Sequence, residues 1–134
     1  WESTLNVQVS VRQVASFPML AEAANAGGYN AIGLHFAGLD PVVLNAAYLS
    51  TGARSWTRFA DRELDAWLQA ARTAVEDQQR QELYSQIQLR IMEQALVLPI
   101  REQVNLTGYQ PRLHRLHFDA QGWFPYLTDL TLEP

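Results

Sequence analysis

Along this chain, hydrophobic and polar positions change period several times, and each change marks an element. From Asp61 to Ile100 the period is helical, with Leu64, Trp67, Leu68, Ala71 and Val75 on one stripe at three- and four-residue intervals. A second stripe of Tyr84, Ile87, Ile91 and Ala95 follows, so the stretch predicts two helices joined at Glu76-Asp77. Asp61 is placed to cap the first and Asp77 the second, while Glu63 and Asp65 suit the positive end of a helix dipole. Pro99 is the expected stop, because proline disfavours helical dihedrals in the residue before it.

Earlier in the chain the period is two. Leu5, Val7, Val9 and Val11 alternate with polar partners, as in a strand with one buried face. Ser16-Phe17-Pro18 has the form of a helix start, Met19 to Ala24 favours helix, and Gly27-Gly28 ends it. Asn30 to Phe36 is a short apolar run that predicts a second strand. Strand, helix and strand together predict a βαβ unit with parallel strands and a right-handed crossover. Asp40-Pro41 opens a turn, and Val42 to Leu49 predicts a short helix. After Pro99, Val104 to Thr107, Arg112 to Phe118 and Leu127 to Leu132 are candidate strands, and Pro111 interrupts the chain. The fold class expected is mixed α/β in a single domain over residues 1–134.

Composition narrows the function. With 134 residues, 48% of them hydrophobic, the chain is long enough for one domain with a core. No run approaches the apolar length needed to span a bilayer, and the opening residues do not read as a signal peptide. A formal charge of −4 argues against a nucleic-acid partner, which wants clustered positive charge. All 10 basic residues are arginine, which reads as a compositional bias of the genome. Having no cysteine, the chain forms no disulfide and carries no thiol chemistry.

Candidate chemistry is sparse. His114 and His117 are three apart, a metal-chelating spacing on a helix; in an extended segment they fall on opposite faces. Asp61, Glu63, Asp65, Glu76, Asp77 and Glu82 could suggest paired carboxylates for acid–base work, but helix starts explain most of them. Ser50-Thr51-Gly52 and Ser55 have no neighbouring histidine, and Gly27-Gly28 lacks the Lys and Ser/Thr of a phosphate loop. Asn105-Leu106-Thr107 matches a glycosylation acceptor, a three-residue pattern common by chance. Nothing assembles a nucleophile, a base and an orienting group, so no enzyme activity and no cofactor are expected.

An ordered set of residues carries a resemblance. Asp61, Glu63, Leu64, Asp65 and Leu68 are followed by Asp77, Arg80 and Tyr84, then by Leu98-Pro99-Ile100. Upstream, Gly28-Tyr29-Asn30-Ala31 ends the predicted helix, and Pro41 and Gly52 stand eleven apart. This set resembles the extracellular solute-binding proteins of family 5, the receptors of peptide and nickel importers of the ABC type. Arg62 stands where that family usually has proline.

The resemblance covers Leu5 to the end but only the last part of the family's pattern. It implies the C-terminal portion of the second lobe of a two-lobed receptor, an excised fragment that binds its solute poorly alone. The implied function is capture of a peptide-like or other small solute outside the membrane, periplasmic or extracellular, and delivery to the ABC permease. Alternatives are the sensing lobe of a regulatory protein, or a free-standing interaction domain. An apolar surface left by a missing lobe would favour dimerisation of the fragment.

Ligands of open α/β sheets lie beyond the carboxyl ends of the strands, which singles out Leu34 to Pro41. The resemblance places the family's tryptophan and peptide-binding acid at Leu34 and Ala37, so the acidic anchor is missing here. His35, Phe36 and Asp40 remain as candidate lining groups; equally, Phe36 fits the core and Asp40 fits a turn with Pro41. Trp56 and Arg58 form a second candidate pair in the loop before the main helix. The competing reading packs Trp56 beneath that loop and pairs Arg58 with Asp61.

Overall fold

The computed structural model describes residues 2–102 and 104–133, which divide into two units, 1–35 and 36–134. The protein is of mixed α and β structure, with helices first and small antiparallel ladders last.

In the first unit, helix α1 spans Glu2–Leu5 and helix α2 spans Phe17–Ala26. Pro18 sits in the first turn of α2, where its missing N–H is no loss. Gly27, at φ 79°, ends the helix and donates its N–H to the carbonyls of Ala23 and Ala24. The expected βαβ unit does not form: no ladder involves Leu5–Val11 or Asn30–Phe36. Asn6 turns left-handed at φ 51°, and the Val9 amide is taken by the Glu2 carboxylate at 2.8 Å. Leu5, Val7, Val9 and Val11 stay exposed. A strand face is stable only against a neighbour, and none of the described residues supplies one.

The second unit is organised by a helical hairpin, α4 (Arg62–Thr73) and α5 (Asp77–Glu93), as the periodicity predicts. A short 3₁₀ turn, Pro41–Val43, leads into α3, Leu44–Tyr48. Leu64, Leu68 and Ala71 of α4 meet Tyr84, Ile87 and Ile91 of α5 and Ala47 and Tyr48 of α3 in one buried cluster. Each buried Leu or Ile contributes about 1.5–3 kcal/mol of burial free energy.

Both predicted stripes run one residue too far. Val75 lies past the end of α4 and is exposed. Ala95 lies past the end of α5, which stops well before Pro99. There Ala95 turns left-handed at φ 50° and donates to Met92 at 3.0 Å, while Leu96 donates to Ile91 at 3.1 Å. This is a Schellman ending, and Leu96 takes the core place expected of Ala95. The start of α5 also differs: Glu76 occupies the cap position and Asp77 the first turn, where its charge still suits the dipole.

The C-terminal ladders are each two residues long. Strand β1 (Leu113–His114) pairs antiparallel with β4 (Thr131–Leu132), and β2 (His117–Phe118) with β3 (Pro125–Tyr126). The Asp119 carboxylate closes the β2–β3 turn by accepting from the Trp123 and Phe124 amides at 2.7 and 3.1 Å. Val104 to Thr107, a candidate strand, joins no ladder; Asn105 instead donates weakly to the Gln121 and Gly122 carbonyls.

Candidate functional site

Of the five candidate residues, four lie in the second unit and one, His35, closes the first. His35 is exposed. Phe36 is half-buried and stacks on Tyr48, with ring centroids 6.5 Å apart and planes 16° from parallel. Burial in turn pushes the Tyr48 phenol up from its ordinary value.

Asp40 bonds to a neighbouring amide and to a distant arginine. One carboxylate oxygen, Oδ1, accepts from the Val42 amide at 2.8 Å and caps the 3₁₀ turn. Nη2 of Arg80 lies 2.6 Å from Oδ1 and 2.7 Å from Oδ2. The guanidinium, and then the Val42 amide, hold the Asp40 carboxyl below the usual carboxylate range. Arg80 also lies over the Tyr84 ring, 5.5 Å from its centroid. Both the turn and the lining readings of Asp40 stood open in the sequence; the turn reading describes its bonds.

Trp56 is 8% exposed, packed within the loop as one of the two sequence readings had it. That loop is tightly wound, with Gly52 donating to Leu49, Arg54 to Ala46, and Ser55 to Gly52. Ser50 fastens it to α4: its amide donates to Asp65 Oδ1 at 2.8 Å, and its hydroxyl donates to Asp65 Oδ2. Arg58 does not pair with Asp61. It is exposed, left-handed at φ 54°, and makes no ion pair among the described residues.

Asp61 is occupied elsewhere. Its Oδ1 accepts from the Glu63 and Leu64 amides at 2.9 and 3.2 Å, capping α4. Its Oδ2 accepts from Arg90 Nε at 2.8 Å and lies 2.7 Å from Arg90 Nη2. Arg90, ahead of the two amides, lowers the carboxyl from its ordinary value. A cap is local and readable from sequence; a partner 29 residues away is not.

Two shallow, open clefts mark the second unit, and neither includes His35, Phe36, Asp40, Trp56 or Arg58. One, of 460 Å³, is lined by Val104 to Thr107, Phe118, Gly122 and Trp123. The other, of 390 Å³, runs along α5 past Asp77, Arg80, Gln81, Tyr84, Ser85 and Gln88, with Pro41 at its edge. This second cleft was legible in principle, since Asp77, Arg80 and Tyr84 share one helical stripe. His114 and His117 lie in different ladders, and His114 faces Glu133 at 3.3 Å. Among the described residues, no group of three or more His, Cys, Asp or Glu is arranged to hold a metal ion. Nor is any helix of those residues long and apolar enough to cross a membrane.

No protein-family model, no curated protein and no solved structure matches this chain.

Proposed function

We propose that the chain forms the C-terminal portion of the second lobe of a solute-binding receptor. In that reading it serves an ABC importer, capturing a peptide-like or other small solute outside the membrane and delivering it to the permease. Capture needs no covalent step. Its binding energy comes from enclosing the solute between two lobes as a hinge closes.

The observation that carries the reading is surface. Many large apolar side chains lie on the surface, among them Leu39, Leu89 and Leu98. Leu5, Val7, Val9 and Val11 are exposed in the first unit, and Ile100, Val104 and Leu106 in the second, with no ladder formed by the segments Val7–Val11 or Val104–Leu106. Segments of that character belong in a sheet with neighbours, as a larger two-lobed body would provide. The resemblance carried by residues 61–100 adds to this.

The test is made in the organism that produces the protein. Its gene is disrupted, and uptake of labelled di- to pentapeptides and of nickel is measured beside the intact mass of the native product. Loss of uptake of one solute class, with a native mass several-fold above 15.2 kDa, is expected. Unchanged uptake of every solute together with a native mass near 15.2 kDa would overturn the proposal.

A further inference from the structure

We draw no further inference here: the strongest candidate, the shallow cleft that the unladdered segment Val104 to Thr107 lines together with Phe118 and Trp123, carries nothing because nothing in the structure shows what covers it.

Discussion

The left-handed turn that ends α5 gives the most direct test of the helical hairpin. Ala95 sits at φ 50°, a conformation glycine adopts freely and an L-residue with a Cβ does not. Holding a residue with a side chain there costs about 1–2 kcal/mol. Replacing it by glycine removes that cost but loosens the unfolded chain, which takes back about 0.4–1 kcal/mol. Ala95→Gly should therefore stabilise the protein by about 1 kcal/mol net. No contact is lost, because Ala95 is exposed and Leu96 fills the core place. Urea unfolding followed by the helical circular dichroism signal should show a midpoint raised by roughly 0.5 M with an unchanged slope. In a thermal melt the shift should be about 3–6 °C upward. Ala95→Val is the mirror experiment: a β-branched residue in the same conformation should lower stability by at least about 1 kcal/mol. Should Ala95→Gly instead weaken the protein, or the two variants behave alike, α5 does not end in this turn.

Three further outcomes follow from packing and charge. Leu68→Ala, at a fully buried position between α3, α4 and α5, should cost about 2–5 kcal/mol in the same unfolding assay. Gly52→Ala should cost about 1–3 kcal/mol, since its Cβ would lie 2.5 Å from the Asn45 carbonyl oxygen and 2.7 Å from that of Ala46. Asp40 and Asp61 have folded pKa values below their ordinary 3.8, so the stability they contribute is present above that value and is lost as pH falls through the lower folded values. An acid titration of stability should thus steepen below about pH 4, and Arg90→Gln should flatten it by removing the main cause of the Asp61 shift.

How far the sequence reached depended on whether a signal was local. The stripes Leu64-Leu68-Ala71 and Tyr84-Ile87-Ile91 located the core because a helix satisfies its own backbone and needs only one face covered. The Asp61 cap and the Gly27 stop were equally legible, each acting within a turn of its own position. The strands were not. Alternation at Leu5–Val11 states which face a strand would bury but not whether a neighbour exists, and no ladder forms there. The same limit applies to the candidate site. Phe36 and Trp56 could be read as core from their apolar bulk, but the Arg80–Asp40 and Arg90–Asp61 pairs join residues 40 and 29 apart. Charge alone did not say which arginine each aspartate would take, and Arg58, three residues from Asp61, was passed over.

The two oxygens of Asp61 serve events on different timescales. Oδ1 meets amides two and three residues away, so its bonds form with the first turn of α4, in the sub-microsecond regime of helix growth. Oδ2 waits for Arg90, which arrives only when the hairpin closes. One carboxylate thus takes part in both nucleation and docking, and Arg90→Gln should separate them in a chevron plot. If docking follows the transition state, that variant quickens unfolding and leaves the refolding rate alone. The hairpin, built from neighbours in sequence, is then the part of this chain that finds its structure first and keeps it while the extended segments are still seeking a partner.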